Sequence, residues 1–80
     1  MANAPPHPKI VDALRSYAAL RPDAVDTPRG IRDWWLGGVD PLPTIDEVEQ
    51  SLLALEALGE FVSLRLPEGT VCWRPVAGDE

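Results

Sequence analysis

Few residues of this chain have the chemistry to make or break a bond. It holds one cysteine, Cys72, and one histidine, His7, in 80 residues. A reactive thiol needs a neighbour that lowers its pKa. Between Thr70 and Arg74, Cys72 reads as a small strand side chain rather than a redox sensor. His7 stands among prolines, with no second His or Cys at ligand spacing, so a metal site is not expected. Asp46, Glu47 and Glu49 cluster as cation ligands can, but they also sit where a helix start favours carboxylates. No Gly-rich phosphate loop, zinc signature or nucleophile elbow is present. A general acid–base pair needs two carboxylates held across a cleft, and a chain this short has little size with which to form one. The expectation is a protein that is not an enzyme and uses no cofactor.

Binding chemistry remains, and two residue sets offer it. Arg29, Arg32, Arg65 and Arg74 can hold phosphates or enter a minor groove. The plainer expectation for them is a solvated face paired with acids, such as Arg29 with Asp33 four residues on, or Arg15 with Asp12. The second set surrounds Leu53. It falls well off the apolar stripe of its helix, near Gln50, Ala54 and Ala57, and is rimmed by Asp46, Glu49 and Glu60. That is the pattern of a partner or self-association surface. Tryptophan is favoured at interface hot spots, which adds Trp35 to the partner-binding set of Gln50, Leu53 and Ala57. At least one of Trp34 and Trp35 is expected to fill the core with Ile31 and Trp73.

Length and charge set the frame for these sets. Eighty residues make one domain at most. Thirteen Asp plus Glu against seven Lys plus Arg leave a net charge of -6, which weighs against a polyanion as partner. A lone cysteine excludes an internal disulfide and suits a reducing cytoplasm. No apolar run approaches the roughly 20 residues of a membrane span, and Met1 to Pro8 lack the pattern of a signal peptide. Residues 1–7 read as a flexible Pro-rich arm, 8–76 as the domain, and 77–80 as an acidic tail.

The elements that must position the binding residues are marked by proline, glycine and periodicity. Lys9 to Arg21 has helical spacing, with Ile10, Leu14, Tyr17 and Ala18 on one stripe. Pro8 suits its first turn and Pro22 stops it. Thr27 caps a short second helix that starts at Pro28. There Ile31, Trp34 and Trp35 project to one side, and Gly37 is free to close it in a left-handed conformation. Thr44 and Glu47 form a capping box for a third helix, with Ile45, Val48, Leu52, Leu55 and Leu58 as its stripe and Gly59 as its stop. Phe61–Leu66 and Thr70–Arg74 then alternate across Pro67-Glu68-Gly69 as an antiparallel hairpin. It is expected to lie on the helices through Val62, Leu64, Val71 and Trp73.

Three helices followed by a hairpin is the order of a winged helix-turn-helix domain, an α+β fold. The stretch Glu47–Val62 resembles the Val-x-x-x-Leu-x-x-Leu-x-x-x-Gly ending common in bacterial winged-helix regulators, here on Val48, Leu52, Leu55 and Gly59. Leu66–Val71 matches the wing tip and Cys72–Pro75 its return strand. The resemblance covers most of Pro8 to Val76. It implies that the third helix is the recognition helix and the hairpin the wing. Family members that bind DNA carry basic or amide side chains on that helix. This chain departs from them: Thr44 to Glu60 holds no Lys or Arg, and only Gln50 and Ser51 suit a base edge. The expected counterpart is therefore a protein partner or a second copy, contacted through the acidic third helix. DNA held by the four arginines is the alternative.

Overall fold

The structure, a computed structural model, describes residues 7–76. The arm expected over 1–7, apart from His7, and the tail expected over 77–80 lie outside the described residues. Three helical segments and a two-stranded antiparallel hairpin make an α+β fold. Among the described residues, no helix is long and apolar enough to cross a membrane.

The first helix, α1 (Pro8–Leu20), begins on proline as expected. Its last turn is closed by the Arg21 N–H donating to the Tyr17 carbonyl at 2.8 Å, just before Pro22. Ile10, Val11 and Leu14 are buried, while Asp12, Arg15, Ser16 and Ala19 are exposed. This is the division that a 3.6-residue period imposes.

The second helix departs from expectation. α2 (Pro28–Gly30) is capped by Thr27, whose Oγ1 accepts from the Gly30 N–H at 3.1 Å. It then continues as a π-helical turn, Ile31–Trp35, closed by the Leu36 N–H donating to the Ile31 carbonyl at 3.0 Å. An i→i+5 turn is wider than an α-turn. The residues that align with Ile31 are therefore Trp35 and Leu36, not Trp34. Ile31, Trp35 and Leu36 are buried, and Trp34 is 77% exposed. The expected grouping of Ile31 with both tryptophans fails for this reason. Gly37 is not left-handed either. Among the described residues, positive φ is confined to Gly59 (φ 78) and Gly69 (φ 102), at the exit of the third helix and the hairpin tip.

The third helix, α3 (Ile45–Ala57), carries the capping box in full. Thr44 Oγ1 accepts from the Glu47 N–H at 3.1 Å, and Glu47 Oε1 accepts from the Thr44 N–H at 2.9 Å. Val48, Ser51, Leu52 and Leu55 form its buried face. Ser51 is tolerated there because its hydroxyl donates to the Glu47 carbonyl at 2.9 Å. Leu58, expected on the stripe, is 63% exposed. It caps the helix, beyond the last buried turn, and the left-handed Gly59 after it ends the helix.

The hairpin pairs β1 (Phe61–Arg65) with β2 (Val71–Pro75) so that Phe61 faces Pro75, Ser63 faces Trp73 and Arg65 faces Val71. Side chains alternate between the two faces of a strand. The helix side therefore holds Phe61, Ser63, Val71 and Trp73. Val62 and Leu64, expected on the core, lie on the other face with Cys72 and Arg74. Phe61, the first residue of β1, is buried in the core and sets this parity.

Trp35 lies at the centre of the packing. Its ring stacks on Tyr17 of α1 (centroids 4.5 Å apart, planes within 9°) and tilts against Phe61 of β1 (6.4 Å, 45°). Fully burying a leucine or an aromatic contributes roughly 1.5–3 kcal/mol, so this trio, with Leu14, Ile31, Val48, Leu52 and Leu55, holds the helices to the ribbon. One further tie was not expected. Asp26, in the link between α1 and α2, exchanges two backbone hydrogen bonds with Trp73, at 3.1 and 2.7 Å.

Asp26 also explains a glycine. A Cβ added at Gly30 would fall on the Asp26 carboxylate, whose Oδ1 accepts from the Thr27 N–H at 2.8 Å. Gly30→Ala is therefore expected to lower stability by about 1–3 kcal/mol, the range for overpacking. In an Asp26→Ala background the same substitution should become neutral or stabilising, since alanine is the better helix former. Urea titration of the four proteins in this cycle measures the coupling. Equal effects in both backgrounds would exclude the clash as the cause.

Candidate interaction surface

The outer face of α3 follows from its inner one. Val48, Leu52 and Leu55 point into the core, so Asp46, Glu49, Gln50, Leu53 and Ala57 are presented to solvent, and all five are exposed. Leu53 is 54% exposed. The structure thus brings Gln50, Leu53 and Ala57 together on one face, as their spacing predicts.

Trp35 does not join them. At 8% exposure, stacked between Tyr17 and Phe61, it offers nothing to a partner. The exposed indole of the pair is Trp34, on the π-helical turn. The expected partner-binding set is corrected to that extent.

The charge around Leu53 is also sorted by the fold. Glu47 is committed to the capping box. Glu56 Oε2 accepts from the Ser63 hydroxyl at 3.2 Å. Glu60, expected on the rim, instead takes a two-pronged hydrogen bond from Arg15 of α1, at 2.8 and 2.9 Å. That pair ties α1 to the exit of α3. The hydrogen bonds from Arg15 to Glu60, and then the charge of Glu60, hold the guanidinium pKa above its ordinary value. Arg15 therefore keeps its charge throughout the neutral range, and a pair this exposed to solvent is screened and adds little to stability. Asp46 and Glu49 remain as the carboxylates of the outer face, and neither is in an ion pair among the described residues.

Beside this face, at the start of α1, a groove of about 450 Å³ opens between Pro8 and Ile10 on one wall and Val39, Pro41 and Pro43 on the other. Glu47, His7 and the exposed Lys9 edge it. His7 Nε2 lies 3.3 Å from Gln50 Oε1, linking the groove to the exposed face of α3.

The four arginines do not all share one face. Arg32 Nε is 3.0 Å from its neighbour Asp33. The expected pairs of Arg29 with Asp33 and Arg15 with Asp12 do not form; Asp33 and Arg15 are engaged elsewhere. Arg65 and Arg74 project from opposite faces of the ribbon, by the pairing of Arg65 with Val71 and of Arg74 with Val62. Arg29 edges a separate groove with Thr27, Pro28, Ile45, Glu49, Thr70 and Val71. Cys72 is buried and unbridged. Among the described residues, no three His, Cys, Asp or Glu side chains gather as metal ligands.

Compared with models of protein families, with curated proteins and with solved structures, the chain matches none.

Proposed function

We infer that this chain is a non-catalytic interaction module of winged-helix type, regulatory in role, that binds a protein partner through the outer face of α3. The observation that carries this reading is Leu53. A large apolar side chain stands 54% exposed at the middle of a helix, flanked by Gln50, Ala57, Asp46 and Glu49, with no Lys or Arg on the helix. Three helices before a hairpin, with the ribbon pinned to the α1–α2 link through Asp26 and Trp73, support the winged-helix part. The charge decides among counterparts. Phosphates of a duplex would meet carboxylates at the helix that would have to enter the groove. Of the arginines that would offset this, Arg65 and Arg74 project from opposite faces of the ribbon. A second copy joined through this face would set two acidic helices, each without Lys or Arg, against each other.

Placing a photo-reactive amino acid at position 53, and separately at Ser16 on the exposed side of α1, tests the reading in cells of the source organism. The expected adduct forms from position 53 and not from 16, is destroyed by protease and survives nuclease. A nuclease-sensitive adduct, or equal yields from both positions, would exclude it.

A further inference from the structure

We propose that the docking face of α3 continues past Gln50 into the groove beside Pro8, and that this composite surface takes one cationic amphipathic segment of a partner protein, with an apolar side chain of that segment seated in the groove. The proposal rests on the reading of α3 as protein-binding and extends it to a partner class and a second contact point.

Three observations lead to it. The first is continuity. Glu47 edges the groove, Gln50 stands three residues on, and Leu53 three further, so they form neighbouring steps on one helix surface. His7, which also edges the groove, reaches Gln50.

The second is the make-up of the walls. Pro8, Pro41 and Pro43 supply much of the lining, with Ile10 and Val39. Proline has almost no side-chain freedom to lose, so a ligand entering the groove orders little of the protein. Low ordering cost is what lets a small surface bind. Leu53, by contrast, contributes one apolar contact and is too little to hold a partner alone.

The third is charge. The outward acids Asp46 and Glu49 have no ion-pair partner among the described residues, and the whole chain carries -6. A segment that sets Lys or Arg against Asp46 and Glu49, and an apolar side chain rather than a cation beside Lys9 in the groove, complements that field, speeds encounter and excludes anionic competitors.

Amide shift mapping on the isotopically labelled protein tests this directly. The probe is a short amphipathic helix of leucine and lysine, with its leucine–glutamate counterpart as control. At low salt the lysine peptide should shift the amides of Gln50, Leu53 and Ala57 together with those of Lys9, Ile10 and Val39. The glutamate peptide should shift neither group. Added salt should weaken binding, since exposed charges are screened. Leu53→Lys and Pro8→Lys each place a cation on an exposed part of the surface, and each should raise Kd about tenfold or more, which corresponds to ~1.4 kcal/mol. Shifts on α3 alone, with Pro8→Lys binding as wild type, would overturn the groove and leave the α3 reading intact. Shifts elsewhere on the molecule, or equal binding of both peptides, would overturn both.

Discussion

Trp35→Ala is expected to lower stability by about 3–5 kcal/mol, the range for truncating a buried aromatic. Trp34→Ala, one residue away, should change it by no more than about 0.5 kcal/mol, as exposed positions do. A domain of this length is held by only about 4–12 kcal/mol in total. The first variant is therefore expected to be partly unfolded at 25 °C, and the second indistinguishable from wild type. The contrast follows from the π-helical turn. Trp35 lies between Tyr17 and Phe61, so its removal leaves a void between α1 and the ribbon. Trp34 is 77% exposed and leaves none. Urea midpoints for the pair decide the matter. Similar losses in both variants would mean that Ile31–Trp35 winds as an ordinary α-helix, with both indoles half-buried.

Adjacent leucines on α3 supply the second large contrast. Leu52 is fully buried and Leu53 is 54% exposed. Leu52→Ala should cost about 2–5 kcal/mol, depending on how far Val48 and Leu55 relax into the space. Leu53→Ala should cost about 0.5 kcal/mol or less while removing the apolar centre of the proposed docking face. Thermal melts and urea titrations of the two variants measure this. A reversed order would rotate α3 about its axis and place Gln50 and Ala57 inside, which would remove the surface on which the proposed function depends.

Much of this architecture can be read from local chemistry. Thr44 and Glu47 announce the start of α3, Thr27 and Pro28 that of α2, and Gly59 the exit. Each acts through hydrogen bonds or dihedral freedom confined to a few residues, which is why sequence alone reveals them. The outward position of Gln50, Leu53 and Ala57 follows equally well, since a regular α-helix translates spacing into direction. What escapes is set by longer-range packing. The π-helical turn shifts the phase of a helix by one position, and nothing in Ile-Arg-Asp-Trp-Trp signals it, so Trp35 reads as a surface anchor yet belongs to the core. The parity of β1 turns on Phe61. Val62 and Leu64 read as the buried pair until the pairing with Trp73 and Pro75 is known. The same is true of charge: Glu60 reads as rim until Arg15, 45 residues earlier, is seen to hold it.

The double hydrogen bond between Asp26 and Trp73 has a consequence for how the molecule comes apart. A two-stranded ribbon would ordinarily fray as its own low-stability unit. Here the return strand is bonded on one edge to β1 and, at its middle residue, to the segment that launches α2. Peeling the ribbon away therefore also frees the start of α2. The ribbon and the helices should open as a single cooperative foldon, which makes the ribbon a rigid strut of the domain rather than a hinged flap.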